Sequence, residues 1–409
     1  MSQLTKQLNV PTRIILFGTF FTRTAFFMST PFLSIYLTTV LHLPITETGI
    51  IISAFPLIIV LLSGLVGRLV DNFSLRLVLS VVAFFWGLTF ILFYFATTFW
   101  QFLLLNCLNG CCYAFFEPAA KKVLSLETTS DQRLMTYNIR YAAINLGGFF
   151  GPLLSQFFHI QKSLVAYLPL GCCYILYSLV LLYTLSKQAT PLKDKPTRNI
   201  HQGQWIFSDR AFIFLLIGVA FSYFGYAQFN STLAQYLTLS PHFSNGSQIY
   251  AYILSLNSAC ILLLQFILLR VTQTLSATSV LLISNLFLAS SVVLCGLAAT
   301  LWGFVFIALI YSLGELLLGS RFDTLVDDMA NEDLKGVYFG FAEWIKTGSV
   351  LGPIIGAQLL QTTGADRGTL LFPILGSITF LGSFFIILSK KKPRQARLNS
   401  NATNPDASK

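Results

Sequence analysis

Twelve stretches of this chain are each about 20 residues long and nearly free of charge, and that leaves few structures open to it. They run roughly over 13–39, 47–70, 76–96, 101–123, 136–159, 164–186, 210–236, 248–270, 276–297, 301–324, 336–361 and 368–389. At about 1.5 Å of rise per residue, a helix of that length crosses the ~30 Å hydrocarbon core of a bilayer. Lipid offers no partners to backbone N–H and C=O groups, so apolar spans must pair those groups internally, as helices do. Composition supports the reading. The chain is 55% hydrophobic and 10% charged, and its 39 phenylalanines outnumber its 16 aspartates and glutamates. Soluble domains carry about 25% charged residues. The expected fold is an all-α integral membrane protein with twelve transmembrane helices. The first stretch holds Arg23 and Pro31 and lacks a small-residue cleavage pattern, so it reads as a span and not as a leader.

Positive charge sets the expected orientation. Arg13, Arg68, Arg76, Lys121, Lys122, Arg133, Arg210, Arg270, Arg321 and Lys335 fall at one set of alternating loops and span ends, while the other set holds only Lys162 and Arg367. Such a bias places both termini in the cytoplasm. The net charge of +10 is therefore a topology signal, and no nucleic-acid surface is read from it. A polar segment with Pro191 and Pro196 divides six spans from six. The expected domains are an N-terminal six-helix bundle (1–186), a cytoplasmic linker (187–209), a C-terminal six-helix bundle (210–390) and a basic, disordered tail (391–409). The seven cysteines and four histidines show no metal-ligand spacing. No G-x-x-x-x-G-K-[ST] loop occurs, so neither enzymatic chemistry nor direct nucleotide drive is expected.

Two spans carry the same signature, Gly147-Gly148-Phe149-Phe150-Gly151-Pro152 and Gly348-Ser349-Val350-Leu351-Gly352-Pro353, with the prolines 201 residues apart. Small residues four apart let membrane helices approach closely, and the proline interrupts the backbone ladder. The repeat at half the chain length marks two pseudo-symmetric bundles, a common construction among secondary transporters. Gly147, Gly151, Pro152, Gly348, Gly352 and Pro353 are the expected helix-packing residues.

These motifs resemble the major facilitator superfamily, and within it the bacterial multidrug-exporter-like branch. In the turn between spans 2 and 3, Gly67, Leu69, Asp71 and Arg76 match that family's loop, while Asn72, Ser74 and Leu75 depart from it. The fifth span resembles the antiporter signature through Gly147, Gly151 and Pro152, but Asn106-Cys107-Leu108-Asn109-Gly110 replaces an R-x-x-Q-G run in the fourth span. The resemblance implies alternating access, with Asp71 and Arg76 latching helix ends in one transport state. The missing fourth-span arginine weakens the case for proton antiport.

Charge inside the bilayer is costly, about 3 kcal/mol per residue on insertion scales, so each such residue asks for a reason. Arg23 lies mid-span and either snorkels or faces a central cavity, as counter-ion to a carboxylate or as contact for a substrate anion. Glu315 sits past the middle of the tenth span, where a carboxyl held from bulk water could exchange a proton as substrate comes and goes. Glu117 and Arg140 have compatible depths and form a candidate pair, either a static bridge or part of an inner gate beside Pro118. Glu343 and Lys346 are three apart, so they pair along one helix unless Glu343 closes against the first half. Tyr223, Tyr226, Asn230 and Asn257 are candidates for the cavity lining. The expected function is proton-coupled export of a small amphipathic compound by a monomeric carrier in the lipid bilayer, with no cofactor beyond a proton gradient. Proton-coupled import of a small metabolite or nutrient and a transport-dead membrane sensor are the alternatives.

Overall fold

The computed structural model describes residues 8–128, 130–185, 209–329 and 335–390. The expected linker (apart from Asp209) and the basic tail lie outside them. Among the described residues the chain is helical throughout, without strands. The first half comprises α1 (Val10–Thr39), α2 (Ile45–Asn72), α3 (Leu75–Phe95), α4 (Phe99–Glu127), α5 (Ser130–Phe157) and α6 (Tyr167–Thr184). The second comprises α7 (Arg210–Asn230), α8 (Thr232–Leu239), α9 (Gly246–Val271), α10 (Ala277–Cys295), α11 (Leu301–Met329), α12 (Lys335–Ala342), α13 (Thr347–Thr363) and α14 (Gly368–Leu388).

With α7–α8 and α12–α13 each counted as one rod, twelve rods fall on the twelve apolar stretches. Nine of them, among the described residues, are long and apolar enough to cross a membrane. The other three are α1, α5 and α12–α13. Each turns polar groups toward a central cavity: Arg23 and Thr30, Asn145, and Lys346 and Ser349, respectively.

Helix starts follow local chemistry. Asn9 caps α1, its Oδ1 accepting from the Thr12 N–H at 3.0 Å. Asp209 caps α7 in the same way, accepting from the Phe212 N–H at 3.3 Å. Each offers a side-chain oxygen to a backbone donor that the first turn leaves unpaired. Thr98 and Gln101 form a capping box at the start of α4.

Within the first half α1 packs on α5, α2 on α4, and α3 on α4 and α6; within the second, α7 packs on α13 and α14, α10 on α11 and α14, and α9 on α11. Among the described residues two main seams join the halves, α2 against α13 and α5 against α9, and α1 also touches α8. The copied glycines explain the closest approaches. A Cβ added at Gly147 would lie 2.7 Å from the Thr24 backbone nitrogen, and one at Gly151 the same distance from Phe27 Cβ, so α5 rests directly on α1. In the second half a Cβ at Gly348 would collide with the Ala220 carbonyl, and one at Gly352 would meet Ala227 Cβ at 2.6 Å, so α13 rests on α7. One motif therefore makes the same joint in each bundle.

Two expectations are corrected. The seventh span breaks at Ser231, whose backbone (φ −133°, ψ −65°) leaves the helical region. The eleventh is interrupted by a 3₁₀ turn, Glu343–Lys346. Pro118 lies inside α4, which continues past it to Glu127. A proline removes one intrahelical hydrogen bond, and packing neighbours can hold the ladder on both sides of it.

A charged and aromatic cavity between the halves

A cavity of about 350 Å³ lies between the bundles. The close contact at Gly147 fixes its first-half wall. A Cβ there would lie 2.8 Å from Arg23 Cβ, so α5 can sit at the level of Arg23 only because the position is glycine. Two turns earlier on α5, Arg140 is then brought to Glu117 of α4. Glu117 accepts from both arginines: its Oε2 lies 2.9 Å from Arg23 Nη2, and its Oε1 is bonded to Arg140 Nη2. Arg23 also donates to Tyr113 Oη at 3.0 Å, and its guanidinium carbon lies 4.9 Å from the Tyr113 ring centroid. Two cations and one carboxylate, all less than one-fifth exposed, form a triad that spans three helices. A pair of this kind holds its members in place because removing either partner strands a charge out of water.

The second-half wall is built differently. Asn257 of α9 donates to Glu315 Oε2 at 2.8 Å and accepts at Oδ1 from Ser312 Oγ at 2.7 Å. Ser312 and Glu315 are one turn apart on α11, so the asparagine bridges that turn. No cation pairs with Glu315 among the described residues. Beside it, the Tyr311 ring stacks on Phe229 at 3.8 Å and on Tyr226 at 5.9 Å between centroids. Asn230 donates to Tyr311 Oη at 3.3 Å, and Tyr250 donates to the Asn230 carbonyl at 3.2 Å. That carbonyl lies at the α7–α8 break, where the helix no longer uses it.

Lys346 enters the cavity from the 3₁₀ turn and is paired with Glu343 three residues earlier. The expected pair forms, but on a tighter turn than the helix assumed. Tyr223, Tyr226, Asn230 and Asn257 all line the cavity, as do Arg23 and Glu315. Gln228, on the same helix as the tyrosines, turns away and donates to the Gly352 carbonyl at 3.1 Å. Arg76 begins α3 with its Nε buried and without a hydrogen-bond partner. The side chain of Asp71 lies outside the described residues. Tyr113, Tyr311 and Ser312 went unnoticed in the sequence, although Tyr113 is one turn from Glu117 and Ser312 one turn from Glu315. That one-turn spacing from an intramembrane carboxylate is the signal that could have found them.

A cavity shared by two like bundles, reached by charged side chains and lined by aromatic ones, defines a membrane carrier. The comparisons agree. The Major Facilitator Superfamily model matches residues 15–343, and the chain belongs to that family. It is an MFS-type transporter, a secondary carrier. It is 34% identical to the uncharacterized MFS-type transporter YqjV of Bacillus subtilis (strain 168), over 92% of this chain and 93% of the other. It is 23% identical to a Na(+), Li(+), K(+)/H(+) antiporter of Planococcus maritimus over 93% and 95% of the two chains. Multidrug resistance protein 1 of Bacillus subtilis (strain 168) is 25% identical over 48% of this chain and 51% of its own. Among solved structures, the fold is similar to the nucleoside transporter NupG (D323A mutant), with a TM-score of 0.79 at 15% identity, covering 93% and 100%.

Proposed function

We propose that this carrier couples proton influx to export of a small amphipathic compound bearing a positive charge, and that Glu315 exchanges one for the other. One observation carries the reading: Arg23 and Lys346 each have a carboxylate partner, whereas Glu315, on the same cavity, has no cation among the described residues. A carboxylate removed from water is stabilised by a proton or by a cationic ligand. The rings of Tyr223 and Tyr226, which line the cavity, attract a cation and accept an apolar body. The cavity, at about 350 Å³, falls in the range of small-molecule sites. Because a single carboxylate serves both ions, proton and solute displace one another, which favours antiport over symport. Export follows the antiporter-like glycine–proline signature and the partial likeness to a multidrug resistance protein. The charge bias puts the basic helix ends and both termini in the cytoplasm of a bacterial inner membrane, where the chain acts as a monomer.

The test uses proteoliposomes of known orientation with an imposed pH gradient and a lipophilic monocation as solute. In inside-out vesicles with an acidic lumen, the wild-type protein accumulates the cation, and Glu315→Gln does not. Solute moving in the same direction as protons would instead make the protein an importer. No gradient-driven movement of any solute would favour a sensor.

A further inference from the structure

The two seams between the bundles are fastened in the same way. In one, Ser53 of α2 donates from Oγ to the Val350 carbonyl of α13 at 2.7 Å. In the other, Ser255 of α9 donates to the Phe149 carbonyl of α5 at 2.9 Å. The serines are 202 residues apart and the carbonyls 201, and each carbonyl lies three residues before the proline of a copied G-x-x-x-G-P run. Both serines are almost wholly buried, at 2% and 4% exposure. Each seam also has a fastening nearer its end. The Thr46 N–H donates to Gln361 Oε1 at 3.2 Å, and Gln156 Nε2 donates to the Ser247 carbonyl at 3.1 Å. Thr46 and Ser247 are themselves 201 residues apart and lie in the first turns of α2 and α9. These fastenings lie at the helix ends opposite the basic ones. At about 1.5 Å per residue, the serines sit roughly 10–12 Å inward of them, where Ile52, Ser258 and Pro353 line the cavity.

We infer that Ser53 and Ser255 are a symmetry-related pair of clasps that hold the cavity shut toward the end opposite the basic one, and that both release when that end opens. The chemistry suits a reversible contact. Proline leaves the carbonyl four residues before it, that of Ser349 or Gly148, without a donor and bends the helix, which loosens the turn that holds the neighbouring Val350 and Phe149 carbonyls. A backbone carbonyl has two lone pairs, so each of these can accept a serine hydroxyl from the other bundle. Once the seam parts, a serine can turn back to the carbonyl of its own helix four residues earlier. Neither state then leaves a donor stranded, and the clasp can cycle. The copied motif thus has two faces. Gly147, Gly151, Gly348 and Gly352 join helices within a bundle, and the carbonyls between them receive the other bundle.

The test is amide hydrogen exchange of the full-length carrier in lipid nanodiscs, which needs no substrate and so stands or falls apart from the proposed export function. Each of Ser53→Ala and Ser255→Ala should raise the population open at that end by about threefold, and the pair by about eightfold, from the typical strength of side-chain hydrogen bonds in membranes. Exchange should quicken in the first turns of α2 and α9 and not at the basic ends. Ser53→Thr and Ser255→Thr keep the hydroxyl and should restore protection, which also covers the case of an alanine pair that fails to fold. Unchanged exchange at that end in the alanine variants would overturn the inference. So would equal quickening at both ends that threonine does not correct, since the serines would then be general packing residues.

Discussion

Replacing Glu117 by glutamine keeps its shape and removes its charge. The consequence follows from its partners. Arg23 Nη2 lies 2.9 Å from one carboxylate oxygen and Arg140 Nη2 is bonded to the other, so the substitution leaves two guanidinium groups side by side with no anion between them. Their exposures, 12% and 8%, give water little access to compensate. Breaking a buried pair by removing one partner costs about 3–5 kcal/mol. At roughly 2 °C per kcal/mol for large domains, the apparent unfolding midpoint in detergent should fall by about 6–10 °C. Neutralising the whole triad with Arg23→Gln, Glu117→Gln and Arg140→Gln should recover most of that loss, because no charge is then stranded. Tyr113 would lose the donor from Arg23 in the triple variant, a smaller deficit of about 1 kcal/mol. The assay is thermal unfolding of the purified variants, with surface expression confirming insertion. The reasoning fails if Glu117→Gln melts with the wild type, or if the triple variant is less stable than the single one.

Glu315→Gln should abolish the pH dependence of solute movement and weaken binding of the cation, while the local structure persists because Asn257 can still donate to the amide oxygen; a retained pH profile in vesicles would remove Glu315 from coupling. Gly348→Val should lower stability by at least 1–3 kcal/mol, because its Cβ would meet the Ala220 carbonyl and backbone cannot yield as a side chain can. A melting midpoint equal to that of the wild type would show that α13 does not rest on α7 as described.

The helical architecture was open to inspection because lipid imposes one length and one composition on a span. The same rule hid its interruptions. The Ser231 break and the Glu343–Lys346 turn contain no proline, and nothing in a run such as Tyr226-Ala227-Gln228-Phe229-Asn230 announces where its hydrogen bonds stop. Charges inside the spans were legible one at a time, since each stands out against apolar neighbours. That Arg23 and Arg140 share one carboxylate was not legible, because it depends on how closely α5 approaches α1. The serines of the clasps were the least visible. Serine is common in membrane helices, and only its partner across the seam distinguishes Ser53 from Ser63, which donates to its own helix at the Val60 carbonyl.

The pairing of charges around the cavity also bears on the membrane voltage. Among the described residues of this region, Arg23, Arg140 and Lys346 stand against Glu117, Glu343 and Glu315. With Glu315 ionised the assembly is electrically neutral, so its movement relative to the field transports no net charge. A proton or a monovalent cation on Glu315 makes it singly positive, and the membrane field then acts on it with about 2.3 kcal/mol per 100 mV for full transit. In exchange, both crossings carry this charge, the proton in one direction and the cation in the other, so voltage should act on them in opposite senses while the carrier without either ion is indifferent to it. Charge-movement recordings on planar bilayers would separate the two, and a voltage-sensitive step in protein carrying Glu315→Arg but not in the ionised wild type would fit that arithmetic.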